Sequence, residues 1–129
     1  MAQYRSRVSG PLLDRFEIQL EVPPVPHADL SKAAPGDTSA IVAARVAGAR
    51  VNRNRGIEPA PVAPAQQLLR MAIRRLGLSA RAHDAIVRVA RTIAHLEGAT
   101  SVQSRHIAEA VQYRCLDRPA SPPGETGRA

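Results

Sequence analysis

The stretch Arg74-Arg75-Leu76-Gly77-Leu78-Ser79-Ala80-Arg81 joins two predicted helices and decides the fold of the chain. Gly77 is placed to end the first helix, because glycine readily adopts the left-handed conformation of a helix C-terminus. Ser79 is placed to cap the second helix with its hydroxyl. Arg81 then stands in the first turn of that helix, where the helix dipole disfavours cations and attracts anions. The stretch therefore predicts a short turn between helices, with an arginine at a position suited to an anion.

Apolar residues at helical spacing predict a small helical bundle around this turn, over residues 39–54, 65–76, 79–97 and 104–114. In the helix over 79–97, the predicted core stripe consists of Ala82, Ile86, Val89, Ile93 and Leu96. The opposite face carries Arg81, Asp84, Arg88, Arg91 and His95. Ser104 is the predicted cap of the last helix, with Ile107, Ala108 and Val111 buried.

Residues 16–22, Phe-Glu-Ile-Gln-Leu-Glu-Val, alternate apolar and polar side chains and are followed by Pro23-Pro24. This alternation predicts a β-strand with one buried face. A single strand is not stable alone, so it needs strands that these 129 residues do not supply. We therefore expect a mainly helical chain preceded by one orphan strand.

Composition shifts divide the chain into four predicted parts. Residues 1–26 hold the orphan strand, and residues 27–38 are a linker rich in Pro, Gly and Ala. Residues 39–118 form the helical domain. Residues 119–129 combine Pro, Gly, Ser and charged residues without an apolar pattern, which predicts a disordered tail.

The net charge is +7, and all the positive side chains except Lys32 are arginines. Two explanations have equal weight: a general preference for Arg and Ala in the source, or a surface that binds phosphate through guanidinium groups. Cys115 is the sole cysteine, so neither an internal disulfide nor a cysteine metal site is expected. With no apolar run resembling a signal peptide or a membrane span, we expect a cytoplasmic protein.

The sequence carries no residues for independent catalysis. It has no Gly-x-x-x-x-Gly-Lys-Ser/Thr phosphate loop, no strand ending in paired carboxylates for magnesium, and no Ser-His-Asp or Cys-His set. The four histidines are scattered, so no metal site is predicted. From spacing alone, Arg15 and Arg81 are ordinary surface arginines. We expect that this chain is not an enzyme by itself.

Two blocks of the sequence resemble one known family. The first is Ser9-Gly-Pro-Leu-Leu-Asp-Arg-Phe-Glu-Ile-Gln-Leu-Glu-Val-Pro. The second comprises residues 77–98 and His106-Ile-Ala-Glu-Ala-Val-Gln-Tyr-Arg-Cys-Leu-Asp-Arg. The first is similar to the end of the AAA+ core, and the second to the C-terminal lid, in magnesium-chelatase-like ATPases of the ComM/YifB family. The resemblance covers roughly residues 4–26 and 39–118.

The resemblance implies roles for two arginines. Arg15, in Leu-Leu-Asp-Arg-Phe, corresponds to an arginine finger that reaches ATP held by a neighbouring subunit, and Arg81 corresponds to the sensor 2 arginine on the ATP phosphates. The family implies hexamers of AAA+ subunits, ATP and Mg²⁺ in the complete assembly, and a link to DNA branch migration. For this chain it implies the lid portion of such an ATPase.

Three departures from the family pattern limit this expectation. The nucleotide-binding motifs are absent, Glu17 stands where the family usually has Asp, and residues 55–64 are shorter than in family members. The chain is therefore expected to be a fragment, a subunit completing another chain, or a nonfunctional remnant.

The alternative function is a small basic helical module that binds DNA or a protein partner through Arg81, Arg88 and Arg91.

Overall fold

A computed structural model describes residues 10–27 and 36–114 of the chain. Its five helices are α1 (Gly10–Leu13), α2 (Ser39–Asn54), α3 (Ala63–Leu76), α4 (Ala80–Leu96) and α5 (Ser104–Gln112). Two short strands, β1 (Ala60–Pro61) and β2 (Ser101–Val102), pair in parallel, with Ala60 opposite Ser101 and Pro61 opposite Val102. The prediction of a mainly helical chain is confirmed.

Helix α4 is the centre of the domain. It packs against α2, α5 and β2, while α3 packs against α5. The side chains of Ile86 and Ile107, together with Val102 from β2, are fully buried in one apolar cluster. Leu69 joins that cluster from α3. Helix α4 supplies more buried residues than any other helix, and the buried Ala82 holds its first turn against the domain.

The cap residues at the turn between α3 and α4 agree with the prediction. Gly77 ends α3 in the left-handed region with φ of 61°, and the Ser79 Oγ accepts a hydrogen bond from the Ala82 N–H at 3.1 Å. Thr38 caps α2 through its Oγ1, which accepts from the Ile41 N–H. Gly98 follows α4 with φ of 70°, also as expected.

Some predictions within the bundle are wrong in detail, and one of them is Leu96, which was predicted in the core stripe but is 37% exposed. His95, placed by sequence on the exposed face of α4, is buried, because α4 is covered on more than one side. Gln103 rather than Ser104 caps α5, and that helix ends at Gln112. The buried residues of α5 are His106, Ile107 and Ala110, because these face α3 and α4, whereas Ala108 is exposed and Val111 is only partly buried.

The predicted strand over residues 16–22 is reduced to one parallel bridge between Gln19 and Arg114. The alternating apolar side chains are exposed, from 52% at Phe16 to 73% at Val22, whereas Gln19 is only 5% exposed. A strand buries its apolar face only against a neighbouring layer. Here the segment contacts the end of α5 through its polar side, which leaves the apolar side facing outward.

The predicted domain boundaries at 26, 38 and 118 stay predictions. Residues 28–35, between the first two boundaries, and residues 115–129, which include the third, lie outside the described part of the chain. The predicted tail over 119–129 and Cys115 lie outside it as well. Among the described helices, none has the length and apolar character needed to cross a membrane.

Candidate functional site: an arginine cleft

Arg15 and Arg81, the two arginines singled out from the sequence, line the same cleft. This arginine cleft has a volume of about 260 Å³ and is lined by six residues: Asp14, Arg15, Glu17, Arg81, Ala85 and Arg88. One wall comes from the turn after α1 and the other from one face of α4. The fold therefore brings together two residues that lie in separate blocks of the sequence.

The first wall is the Arg15 turn, defined as residues 14–17. Pro11 lies near the start of α1, where the fixed φ of proline suits a first helical turn. After α1, the Arg15 N–H donates to the Leu12 carbonyl and the Phe16 N–H to the Leu13 carbonyl, each at 3.1 Å. These two hydrogen bonds close a tight turn from which the Arg15 side chain extends, exposed, into the cleft.

The second wall is the N-terminal half of α4. Arg81, Ala85 and Arg88 are spaced by four and three residues, so they share one face of the helix. Ala85 is buried and small, which leaves room for the arginines on either side. The Ser79 cap fixes the first turn of α4 and donates its own hydroxyl proton to Asp14 Oδ1 at 3.0 Å. The cap thus joins the two walls directly.

The three arginines of the cleft differ in whether a carboxylate pairs with them. Arg88 donates from its guanidinium to Glu17 Oε1 at 2.7 Å, and both side chains are about half exposed. Arg15 and Arg81 have neither an ion pair nor a side-chain hydrogen bond among residues 10–27 and 36–114. The cleft therefore presents two guanidinium groups without a carboxylate partner, close to the N-terminus of a helix. This arrangement suits a multiply charged anion such as phosphate.

Arg114 is a residue of the site that sequence reasoning missed. Its guanidinium is 2% exposed at the end of α5, where it donates to Asp14 Oδ1 at 3.1 Å and to the Phe16 carbonyl. Gln19 adds to the same attachment by donating its backbone N–H to the Tyr113 carbonyl at 2.7 Å. The only available signal was its place in the Gln-Tyr-Arg block that carries the family resemblance, since spacing does not reveal a buried arginine.

A second polar cluster lies at the other end of α4, away from the cleft. The Glu97 carboxylate accepts hydrogen bonds from His106 Nε2 at 2.8 Å and from Arg105 at 2.9 Å. These two partners hold the pKa of Glu97 below its ordinary value of 4.5. A hydrogen bond from Tyr113 to Glu109 similarly raises the pKa of the Tyr113 phenol above 10.0. The Glu97 contacts join α5 to the end of α4, whereas the Tyr113–Glu109 contact lies within the last turn of α5, and none of these residues lines the cleft.

The arginine face proposed as an alternative binding surface is partly neutralised. Arg88 is paired with Glu17, and Arg91 lies 3.5 Å from Glu58. Of the three arginines that define that face, only Arg81 has no ion pair within the described ranges. The structure therefore favours a local cleft over an extended basic stripe on α4.

Magnesium does not fit the carboxylates of this cleft. Asp14 is hydrogen-bonded to Ser79 and Arg114, and Glu17 to Arg88. Within residues 10–27 and 36–114, no three or more His, Cys, Asp or Glu side chains are grouped as metal ligands. These residues are therefore not assigned as metal ligands.

Sequence comparisons relate the chain to larger proteins. Residues 54–114 match the family described as magnesium chelatase, subunit ChlI C-terminal. The chain is 37% identical to the uncharacterized protein YifB of Escherichia coli over 131 aligned positions, which cover 90% of this chain and 26% of YifB. It is 34% identical to the competence protein ComM of Haemophilus influenzae, with the same coverage. No solved structure shows a significant match.

The matching region shows which part of its larger relatives the chain corresponds to. It spans about a quarter of the length of these relatives, and the family match covers a C-terminal domain of an ATPase family. The Arg15 turn lies before the family match, in the part related to YifB and ComM. Residues 54–114 therefore belong to the magnesium chelatase ChlI C-terminal family, and the chain is homologous to YifB and ComM over about the C-terminal 26% of those proteins.

Proposed function

We propose that this chain is the lid portion of a magnesium-chelatase-like AAA+ ATPase and supplies Arg15 and Arg81 to a nucleotide site. The observation that carries the proposal is that both arginines line one cleft without a carboxylate partner among the described residues. Homology to YifB and ComM supports the same assignment. Because the sequence has no phosphate loop, the nucleotide is held by another part of the assembly.

The chemistry of the cleft matches the needs of phosphoryl transfer. Negative charge on the transferred phosphoryl group and on the leaving oxygen must be stabilised in the transition state. Guanidinium groups do so without a proton transfer, because they stay charged and donate hydrogen bonds in a fixed planar geometry. The first turn of α4 adds backbone N–H groups and the positive end of the helix dipole on the same side as Arg81.

The shared cleft supports the proposal that both arginines meet the same nucleotide. Arg15 and Arg81 line a single cavity of about 260 Å³, so a triphosphate that reaches one of them lies close to the other. If Arg15 acts on a nucleotide bound by the neighbouring subunit, Arg81 acts on that same nucleotide. The proposal thus places both arginines at one interface of an ATPase ring, and it makes other AAA+ subunits the partners of this chain.

The test is a chimera in which this full chain replaces the homologous C-terminal quarter of E. coli YifB. We expect Mg²⁺-dependent ATP turnover, lowered by about 100-fold or more in both the Arg15→Ala and the Arg81→Ala chimera. Arg50→Ala is the matched control, because Arg50 is an exposed arginine of α2 outside the cleft. Turnover that is unchanged by Arg15→Ala, with the ring intact, contradicts the proposal.

A mixing experiment separates action in cis from action in trans. Chimeric subunits carrying both Arg15→Ala and Arg81→Ala are combined with subunits whose phosphate loop is inactivated. We expect mixed rings to recover turnover, since an intact cleft then faces an intact nucleotide site across some interfaces. Rings that stay inactive at every mixing ratio contradict action in trans.

The alternative function, a basic module for DNA, keeps one observation in its favour. Six exposed arginines of α2, its C-terminus and α3 have no ion pair among the described residues: Arg50, Arg53, Arg55, Arg70, Arg74 and Arg75. Binding to DNA phosphates must weaken steeply as salt rises. A DNA titration of the full chain at two salt concentrations tests this alternative, and docking on an ATPase ring should instead depend on nucleotide.

A further inference from the structure

The Arg15 turn is attached to the helical domain at every residue except Arg15. Asp14 accepts from Ser79 and from Arg114, the Phe16 carbonyl accepts from Arg114, and Glu17 accepts from Arg88. The donors belong to the α4 wall of the cleft or to the end of α5. The backbone on both sides of Arg15 is therefore held, while its side chain stays exposed.

Arg114 is the strongest of these attachments. It is 2% exposed, and its two terminal nitrogens contact the residues on either side of Arg15: the Asp14 carboxylate and the Phe16 carbonyl. A planar guanidinium can make both contacts at once, whereas the single ammonium of lysine cannot do so in the same geometry. The Asp14–Arg114 pair is also less exposed than the Glu17–Arg88 pair, so water weakens it less.

Asp14 extends the attachment to the second arginine. Its Oδ1 atom accepts from Arg114 and also from the Ser79 hydroxyl. Ser79 caps α4 two residues before Arg81, so the position of this hydroxyl is tied to the first turn of that helix. One carboxylate oxygen therefore connects the turn that carries Arg15 to the helix end that carries Arg81.

We infer that Arg114 is a positioning residue for the arginine cleft: with Asp14 and Ser79 it sets the spacing between the Arg15 and Arg81 guanidinium groups. This inference rests on the proposed function, in which both groups meet one triphosphate. Misplacing such groups by about 1 Å can cost on the order of 100-fold in rate. The buried contacts of Arg114 with Asp14 and the Phe16 carbonyl, here called the clamp, therefore have a clear use.

The first test needs no ligand and measures amide hydrogen exchange by NMR on the full chain. In Arg114→Lys, we expect exchange about tenfold faster at the Arg15 and Phe16 amides, which close the turn, and unchanged exchange at core amides such as that of Ile86. Unchanged exchange at Arg15 and Phe16 in a folded Arg114→Lys chain overturns the inference.

The second test uses Ser79→Gly, a variant chosen to fold. Glycine is a tolerable N-cap, so α4 is kept while the hydroxyl that donates to Asp14 is removed. Thr38→Gly is the matched control, because it removes a cap hydroxyl from α2 at a residue that does not line the cleft. The probe is inorganic tripolyphosphate, followed through the side-chain resonances of Arg15 and Arg81.

We expect tripolyphosphate to shift both arginines of the unmodified chain with one common Kd. Binding should weaken about threefold to tenfold in Ser79→Gly and Arg114→Lys, and stay within about twofold in Thr38→Gly. The loss caused by Arg81→Ala should also be smaller in the Ser79→Gly background than alone, because the two arginines are then no longer held together.

The outcomes separate the two claims. Tripolyphosphate binding that needs Arg15 and Arg81 but ignores Ser79→Gly and Arg114→Lys overturns the positioning role and leaves the proposed function standing. A different outcome is faster amide exchange at Arg15 and Phe16 in Arg114→Lys, together with Arg15 and Arg81 resonances that do not shift with tripolyphosphate. That outcome overturns the proposed function and supports the attachment of the Arg15 turn by Arg114.

Discussion

His106 uses both of its ring nitrogens although it is fully buried. Nδ1 accepts from the Gln103 N–H at 3.1 Å, so the ring proton lies on Nε2, which donates to Glu97 at 2.8 Å. The imidazole therefore satisfies the free N–H at the start of α5 and also connects that helix to the end of α4. Burial without these two partners would be costly for a polar ring.

The Glu97 carboxylate gives this cluster a pH dependence. Its pKa is lowered in the folded chain, so the contribution to stability is present above pH 4.5 and is lost as pH falls through the lower, folded-state pKa. We expect the stability difference between the unmodified chain and Glu97→Gln to shrink as the pH falls below 4.5. Urea unfolding of both chains at several pH values measures this difference in the free energy of unfolding.

Glu21→Gln is the control for this prediction. Glu21 is exposed, and the structure gives its carboxylate no hydrogen bond or ion pair within the described ranges. Its replacement should change stability little at any pH in the same series. If the free energies of unfolding of Glu97→Gln and of the unmodified chain differ by the same amount at every pH, the Glu97 carboxylate does not make stability depend on pH.

At the residue scale, sequence reasoning found the arginines that extend into the cleft and missed the one that holds it. Arg15 and Arg81 were identified because they stand in short blocks similar to a known family. Arg114 owes its role to burial and to partners about 100 residues away, and His106 owes its role to burial between two helices; neither periodicity nor composition reveals these features. His95 was misplaced for the same reason.

Helix α3 and helix α4 meet at a turn whose geometry depends on one glycine. Gly77 has φ of 61°, in the left-handed region where a Cβ atom is strained. Gly48 lies in the interior of α2 at ordinary helical φ, and apart from its chain neighbours and the nearby backbone of α2 no heavy atom lies within 4 Å of the place that a Cβ atom would occupy. The two glycines therefore differ in whether alanine can replace them.

We expect opposite effects from alanine at these two positions. Gly48→Ala should raise the free energy of unfolding by about 0.5–1 kcal/mol, because alanine loses less backbone entropy in a helix. Gly77→Ala should lower it by about 1 kcal/mol or more through the left-handed strain. Chemical denaturation measures both, and a stabilising Gly77→Ala would contradict the geometry of the turn.

At the element scale, periodicity located the helices but not the fate of the alternating segment. The bounds of α2, α3 and α4 lie within about two residues of the predictions, because their caps and apolar spacing are local signals. The alternation over residues 16–22 is equally clear, yet its apolar side is exposed. What covers a strand is a long-range property, and local alternation does not contain it.

At the scale of the whole molecule, the described residues form one apolar cluster around α4, and the segment over residues 16–22 lies outside it. We expect Ile86→Ala to lower the free energy of unfolding by about 2–5 kcal/mol, since Ile86 is fully buried. Leu20→Ser should change it by less than about 0.5 kcal/mol, since Leu20 is 64% exposed.

Urea unfolding of the two variants compares the core with the exposed segment. A loss of stability from Leu20→Ser as large as that from Ile86→Ala would mean that the alternating segment packs into the core, against the structure. Far-UV circular dichroism of both folded variants controls for changes in helix content.

The clamp on the Arg15 turn has a consequence for how the chain is made. Asp14 and Arg114 are 100 residues apart, so their contact cannot form until nearly the whole described chain has left the ribosome. At about 5–20 residues per second, the turn waits roughly 5–20 s for its clamp. Local helices can form during that delay, and closing so long a loop adds its own entropic cost. Among the described residues, the arginine cleft is therefore one of the last features to form during synthesis.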